Sequence, residues 1–151
     1  MKRAGFTMIE LIFVIVILGI LAAVAIPKLA ATRTDAKVST AASDIATAVT
    51  DFGTYYTAQG DFGKVGEMTN VKFVTDKDGA GNAATTDMSG GATVFFNDST
   101  GKSCLSFKTS AVDGNLTVTS ESNDTAECKG LNAAVADLEK THQFGGSSIK
   151  Y

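Results

Sequence analysis

The segment 6–26, FTMIELIFVIVILGILAAVAI, constrains the fold more than any other part of the chain. It is 21 residues long, its one charged residue is Glu10, and the next charge is Lys28. A helix of this length rises about 30 Å, which is the thickness of the hydrocarbon core of a bilayer. The segment therefore predicts a membrane-spanning helix. A removable secretory signal, with cleavage among the small residues of AAVAIPKLA, is the alternative.

The composition changes beyond Lys28, where Thr, Ser, Asp, Asn and Gly dominate and Trp is absent. This is the composition of a water-facing domain. The net charge of the chain is −3, and the basic residues Lys2 and Arg3 precede the span. By the positive-inside tendency the N-terminus stays cytoplasmic and the C-terminal domain crosses the membrane.

Apolar residues recur at close to a helical period after Pro27 and continue to Tyr56. The pattern predicts that the helix continues, so that one helix of about 50 residues has a transmembrane half and an amphipathic half over 28–56. Pro27 removes a backbone donor and can kink or loosen the helix, and Gly19 adds a second weak point.

The remainder, 57–151, predicts a small globular β-sheet head. A glycine-rich exit, AQGDFGKVGEM, is followed by four short β-type clusters separated by turn-rich stretches: VKFVT at 71–75, TVFFN at 93–97, CLSFK at 104–108 and NLTVT at 115–119. We expect an antiparallel sheet with one apolar face packed on the helix. A short helix is expected within CKGLNAAVADLEK, and the tail QFGGSSIKY is expected to be loosely held. The fold class is α+β.

The polar residues do not predict an enzyme. The single histidine, His142, lies in a polar segment, and the sequence supports no Ser-His-Asp or Cys-His arrangement and no phosphate-binding glycine loop. An acidic water-facing part with scattered lysines also lacks the basic stripe that nucleic-acid binding needs.

The stretch DKDGAGNAATTD places Asp76, Asp78 and Asp87 at the first, third and twelfth positions of an EF-hand-like loop. Ala80 and Ala84 occupy two ligand positions, and no helix pattern flanks the stretch. A solvated turn is the favoured interpretation, calcium is a weak alternative, and no other cofactor is predicted.

Two further features belong to the water-facing part. Cys104 and Cys128 lie on the side where disulfides persist, so a bridge is favoured over two free thiols. Triplets of the form N-x-S/T begin at Asn97, Asn115 and Asn123 and can accept glycans on an exported surface. In a chain so rich in Ser and Thr, chance explains these triplets adequately.

The N-terminus is more specific. The order G-F-T-M-I-E, with a short basic leader before it, an apolar run after it and Pro27 at the end of the span, resembles the class III signal of type IV pilins and of the pseudopilins of type II secretion systems. The resemblance covers roughly 2–56 in pattern and is close up to Pro27. The rest of the chain is similar to the family in architecture alone.

The resemblance implies that a prepilin peptidase removes the leader 1–5 by cutting after Gly5 and methylates the new amine of Phe6. It implies a filament-core helix over 6–27 and a precursor that spans the bacterial inner membrane once. The implied partners are membrane lipid, an inner-membrane assembly platform, a motor ATPase, minor pilins and other copies of the chain. The implied product is a helical homopolymer, a periplasmic or cell-surface filament.

Glu10 has a physical explanation beside this resemblance. A charged acid in hydrocarbon costs at least about 2.5–3.5 kcal/mol, so its presence suggests a partner. Cleavage supplies the Phe6 amine, which Glu10 can meet in its own helix or, as the family's filaments are understood to do, in a neighbour. The alternative is a helix-end residue favoured by the helix dipole and snorkelling to the headgroups. The resemblance also implies that the segment from Gly19 to Pro27 can extend on assembly.

The cysteine pair bears on the choice between pilin and pseudopilin. It resembles the disulfide-delimited C-terminal region of many pilins, although 23 residues follow Cys128, which is more than that pattern usually shows. The main secretion pseudopilin generally has a calcium-holding loop and no such pair, so the balance favours a pilin. A signal-anchored periplasmic binding or sensor domain is the alternative from a different class.

Overall fold

A computed structural model describes residues 5–110 and 113–145. Its elements, in chain order, are α1 (Met8–Gln59), α2 (Val65–Met68), a 3-10 turn (Ala83–Thr85), β1 (Thr93–Asn97), β2 (Ser103–Thr109), β3 (Asn115–Ser120), α3 (Ala126–Ala134), a second 3-10 turn (Ala136–Leu138) and β4 (Thr141–Gln143). The chain divides into an N-terminal unit, Met1–Ala36, and a C-terminal unit, Lys37–Tyr151. The fold is α+β, as predicted.

The predicted long helix is confirmed as α1, which has 52 residues. It ends at a glycine: Gly60 has a φ of 79° and its N–H donates to the Tyr56 carbonyl at 2.8 Å. Glycine enters this left-handed conformation without the penalty that a Cβ imposes, so the helix stops there. Within the C-terminal unit one face of α1 is buried: Ala41, Ile45, Ala48, Val49, Phe52 and Gly53. These spacings follow the helical period that the sequence predicted.

The sheet is an antiparallel meander with the order β1-β2-β3-β4. Val94, Phe107 and Val118 are directly opposite one another across the first three strands, and all three are buried. Residues opposite each other share a face, and side chains alternate along a strand. One face of the sheet therefore contributes to the core, and the other is polar apart from Phe95.

Aromatic rings join α1 to the sheet and to the intervening chain. The Phe52 ring of α1 lies 6.3 Å from Phe107 of β2, 6.4 Å from Phe62 and 6.1 Å from Phe73. Phe73 also meets Phe107 edge-on at 4.8 Å. The predicted packing of an amphipathic helix face on an apolar sheet face is present.

The prediction of a strand at 71–75 is wrong. Only Val74 of this segment pairs, with Phe95 of β1, through two backbone hydrogen bonds of 2.9 Å. The chain then turns, since Gly79 N–H donates to the Asp76 carbonyl at 3.2 Å. This turn takes the backbone away from β1 before a second residue pair can form.

The fourth strand instead lies at Thr141–Gln143, where a loosely held segment was expected from Gln143 onward. It pairs in register with Asn115, Leu116 and Thr117 of β3. The predicted helix within 128–140 is present as α3 and begins two residues earlier, at Ala126. The remainder of the predicted loose tail, 146–151, lies outside the described residues.

Candidate functional site

The first turn of α1 contains a capping box made by Thr7 and Glu10. Thr7 precedes the first helical residue, and its carbonyl accepts the Leu11 N–H at 3.2 Å. Its backbone N–H and its hydroxyl donate to Glu10 Oε2 at 2.8 and 2.7 Å, and its hydroxyl oxygen accepts the Glu10 N–H at 3.4 Å. Two N–H groups that a helix start leaves without partners are thereby satisfied.

This arrangement gives Glu10 a partner inside its own chain. The sequence reasoning treated Glu10 as a carboxylate in need of the Phe6 amine and did not single out Thr7. The T-x-x-E spacing of a capping box was the signal that could have found it. Both groups are exposed, so the carboxylate stays open to a second donor.

Gly5 and Phe6 lie before the first helical residue. A Cβ placed on Gly5 meets no other atom within 4 Å. The packing of the described residues therefore does not require a glycine at this position. Phe6 is 89% exposed, so neither residue is covered by the protein.

The large apolar side chains of the first part of α1 are uncovered. Between Phe6 and Leu29 their exposed fractions run from 41% at Ile17 to 89% at Phe6. Among the described residues α1 is the one helix long and apolar enough to cross a membrane, by length and composition, and none of its apolar window is buried. A core helix of a soluble domain would be buried, so this surface needs a partner outside the described chain.

Gly19 and Pro27 both lie within α1. Proline has no N–H, so Pro27 cannot donate to the carbonyl four residues earlier. A Cβ on Gly19 would meet no atom within 4 Å. The two positions remain predicted weak points of the helix.

The disulfide between Cys104 and Cys128 is present, with 5.1 Å between the Cα atoms, and both residues are fully buried. Cys104 has no partner across the β1–β2 pair, because Phe96 pairs with Leu105 and Asn97 with Ser103. It is therefore the extra residue of a β-bulge, a feature that can re-aim a side chain. The bridge connects β2 to α3.

Asp98 lies beside this bridge and joins the turn between β1 and β2 to the N-cap of α3. Its Oδ1 accepts the Thr100 N–H, the Thr100 hydroxyl and the Lys102 N–H at 2.8, 2.6 and 3.0 Å. Its Oδ2 accepts the hydroxyl of Thr125, the N-cap residue of α3, at 2.8 Å. Burial by itself raises the pKa of Asp98, but these hydrogen bonds outweigh it and hold the pKa below its usual value.

Asp98, Cys104 and Cys128 are the one group of possible metal ligands that lie within 4.8 Å of one another in residues 5–110 and 113–145. Metals bind thiolates, and both sulfurs are used in the bridge. This arrangement therefore holds the fold together rather than presenting a metal site.

The three aspartates of the calcium hypothesis are not brought together. Asp76 is in a tight turn, Asp78 lines a polar cleft, and the Asp87 carboxylate accepts the Ser89 N–H at 2.9 Å. That hydrogen bond, with the charge of Lys64 nearby, lowers the pKa of Asp87. Their ligand atoms do not form a group within the described residues, so this geometry gives calcium no support.

His142 has a packing role in β4. Its Nε2 lies 3.0 Å from the Leu138 carbonyl, and its ring stacks on Phe144 with centroids 6.2 Å apart. A ring nitrogen facing a carbonyl oxygen must carry the proton.

One comparison with known proteins found a match, and the match lies at the N-terminus. Residues 1–26 match the family model of the prokaryotic N-terminal methylation motif. The comparison with curated proteins and the comparison with solved structures gave no match. The matched segment contains Gly5, Phe6, Glu10 and the uncovered apolar helix, which are the features that the sequence singled out. The first 26 residues of this chain are thus the class III signal of type IV pilins and pseudopilins.

Proposed function

We propose that the chain is a structural subunit that is cut by a prepilin peptidase and polymerises into a type IV pilus or a pilus-like filament. The observation that carries this proposal is the uncovered apolar helix, whose first part lies within the matched methylation motif of residues 1–26. A membrane anchor needs the apolar helix alone. A filament subunit also needs a cleavable leader and a charge that fixes register.

Processing takes place between Gly5 and Phe6. Because the packing of the described residues does not require a glycine at position 5, the requirement belongs to the peptidase that reads this position. Lys2 and Arg3 keep the leader on the cytoplasmic side, where the peptidase acts. Cleavage leaves an amine on Phe6, which is then methylated.

Glu10 keeps its contacts with Thr7 and gains a second partner, the Phe6 amine of another copy, during assembly. In the membrane monomer the capping box with Thr7 gives the carboxylate two donors and lowers the cost of placing it near hydrocarbon. In the filament the Phe6 amine of a neighbouring copy adds an ionic partner. Any other axial offset leaves both charges unpaired in an apolar layer, so the pair fixes the stagger of the helices.

Assembly then transfers the apolar surface of 6–27 from lipid to the helices of other copies. Lipid is as apolar as the helices, so extraction requires work, which we assign to the inner-membrane platform and its motor ATPase. Minor pilins are further partners. The C-terminal unit faces outward from a periplasmic or cell-surface filament. The cysteine pair favours a pilin over a secretion pseudopilin.

Intact-mass measurement of the full chain extracted from the membrane tests this function. The expected species starts at N-methyl-Phe6, and Gly5→Ala is expected to retain the leader at nearly full abundance. Gly19→Ala is the matched control, because a Cβ there also meets no atom within 4 Å, and it is expected to be processed normally. A native chain that keeps residues 1–5, or loses Met1 only, is instead a signal-anchored binding or sensor domain.

A further inference from the structure

We propose that Asn115 is an N-glycosylation site, joined through its carboxamide nitrogen to a saccharide. The inference rests on the proposed export of the C-terminal unit. Three N-x-S/T triplets occur in this unit, and sequence alone does not rank them. The structure distinguishes them by what holds the acceptor carboxamide and the hydroxyl two residues later.

The triplet at Asn97 is fully engaged. The Asn97 Nδ2 donates to the Gly101 carbonyl and its Oδ1 accepts the Ser103 hydroxyl, both at 3.1 Å. The Ser99 hydroxyl donates to Glu127 at 2.6 Å and accepts from the Lys37 ammonium at 2.8 Å. A transferase would have to break these contacts to reach the asparagine in the folded protein.

The triplet at Asn123 is engaged in the same way. The Asn123 Nδ2 lies 3.1 Å from the Cys128 sulfur and 3.4 Å from the Ser103 carbonyl, and its Oδ1 accepts the Thr125 N–H at 3.1 Å. The Thr125 hydroxyl caps α3 and donates to Asp98. Modification of Asn123 would disturb the packing of α3 on β2 beside the disulfide.

The triplet at Asn115 is open. Leu116 and Val118 of β3 are buried, so Asn115 and Thr117 lie on the opposite, polar face of the sheet. Among the described residues no hydrogen bond holds the Asn115 carboxamide, and the one buried side-chain oxygen or nitrogen without a partner there belongs to Asn132. The Asn115 carboxamide therefore reaches solvent.

Thr117 completes the acceptor. Thr117 is two residues after Asn115 in β3, so the two side chains lie on the same face of the sheet. This face presents the carboxamide and the hydroxyl together. Its hydroxyl lies 3.1 Å from the Thr141 hydroxyl, and this contact is exposed. Water can replace such a contact at little cost, in contrast to the cap and ion contacts of the other two triplets.

The reaction is a group transfer without oxidation or reduction. The Asn115 nitrogen attacks the anomeric carbon of an oligosaccharide carried on a lipid pyrophosphate, and a carbon–nitrogen bond forms. The carbon–oxygen bond to the pyrophosphate breaks, the lipid pyrophosphate leaves, and the amide nitrogen gives up one proton. A membrane-bound transferase on the exported side supplies the base and the donor.

Peptide mapping of the full chain from its native host, under non-reducing conditions, tests this site. The expected result is a mass increase of whole monosaccharide residues on the peptide that contains Asn115. Thr117→Ala removes the triplet and is expected to abolish the adduct, whereas Thr117→Ser preserves the triplet and is expected to keep it. Asn97→Gln is expected to leave the adduct in place.

Unmodified Asn115 in chains whose N-terminal peptide starts at Phe6 overturns the glycosylation alone. An adduct on Asn97 or Asn123 in place of Asn115 also overturns it. The same digest reports on the proposed function separately, because an N-terminal peptide that still contains Gly5 overturns the processing whatever the state of Asn115.

Discussion

The two units of this chain use one helix in opposite ways. In the N-terminal unit, the described residues of α1 bury none of their large apolar side chains, while in the C-terminal unit the same helix buries a continuous face. Phe13 is 67% exposed and Phe52 is fully buried, although both are phenylalanines in one helix. Apolar content alone therefore does not determine what a helix packs on. The C-terminal unit contains the partner of its apolar face, and the N-terminal unit needs a partner outside the described residues, which the proposed function assigns to lipid and then to other copies.

The largest expected effect is on the unit without an internal partner. Glu10→Gln keeps the shape of the side chain and removes its charge, so the filament loses the partner of the Phe6 amine. Breaking a buried ion pair from one side costs roughly 3–5 kcal/mol per subunit, which should nearly abolish assembly. Electron microscopy of sheared filaments, with an immunoblot for cleaved subunit, measures this outcome. Asp35→Asn, an exposed acid of α1 outside the span, is the control that should assemble normally.

A matched pair of truncations tests whether the two units differ in what their phenylalanines pack on. Phe52→Ala removes a ring that contacts three other rings and should lower the free energy of unfolding by about 3–5 kcal/mol. Phe13→Ala should leave that free energy unchanged, because its ring contributes nothing to the core. Denaturant unfolding of the full chain in detergent measures both. Equal destabilisation by the two variants would show that the units are not distinct.

Removal of the disulfide should affect the C-terminal unit alone. The bridged cysteines are 24 positions apart, and a loop of this length contributes about 3 kcal/mol in the chain-entropy description. The double change Cys104→Ala with Cys128→Ala should lower the free energy of unfolding by that amount and leave processing after Gly5 intact. Unfolding and intact mass are measured on the same preparation. Free thiols in the exported native protein would contradict the bridge.

Low pH should weaken the hydrogen bonds by which Asp98 joins the turn between β1 and β2 to the N-cap of α3. The pKa of Asp98 is lower in the folded protein than its unfolded value of about 3.9, so its contribution is complete above that pH and is lost as the pH falls through the folded pKa. Asp98→Asn should cost about 1–3 kcal/mol at pH 7, and the difference from the native chain should shrink towards pH 2. Denaturant unfolding across this range measures it. Asp124→Asn, a change at an exposed acid, is the control and should cost far less at pH 7.

The smallest effect is expected at the capping box. Thr7→Ala removes the cap and should destabilise the first turn of α1 by about 1 kcal/mol, without preventing cleavage after Gly5. Faster amide hydrogen exchange at Glu10 in detergent micelles would report the loss. Thr32→Ala is the control, since the Thr32 hydroxyl bonds to its own helix, at the Leu29 carbonyl, away from any helix end. Unchanged exchange at Glu10 in Thr7→Ala would show that the box does not form in the membrane.

The parts of this fold that were predictable are those set by local pattern. The helix period gave α1 nearly to its end, and β-type clusters gave β1, β2 and β3. The strand β4 was not predictable, because THQ has no strand pattern and becomes extended through its pairing with β3. The segment VKFVT has a strand pattern, but only Val74 pairs with another strand, because the chain turns after this residue.

The functional residues divide in the same way, into those identified by local sequence and those that depend on contacts between distant parts of the chain. Gly5, Phe6 and Glu10 are close in sequence, so a short motif could identify them. Thr7 was within reach of the capping-box spacing and was missed. Asp98 could not have been found, because its acceptor role depends on Thr125, which lies 27 residues away and reaches it only after α3 has packed beside β2.

The meander order of the sheet has a consequence for how the protein is delivered. Within the described residues, β2, β3 and β4 each pair with the strand immediately before them in the chain, and no strand is inserted between two that are already paired. A polypeptide that emerges through a membrane from its N-terminal side can therefore add strands in the order of their arrival. The apolar face of α1 emerges first and stays exposed until β1, β2 and β3 cover it. Under the proposed export, Cys104 has no partner cysteine until β3 and α3 have followed it across the membrane, so bridge formation would report that translocation of the sheet is nearly complete.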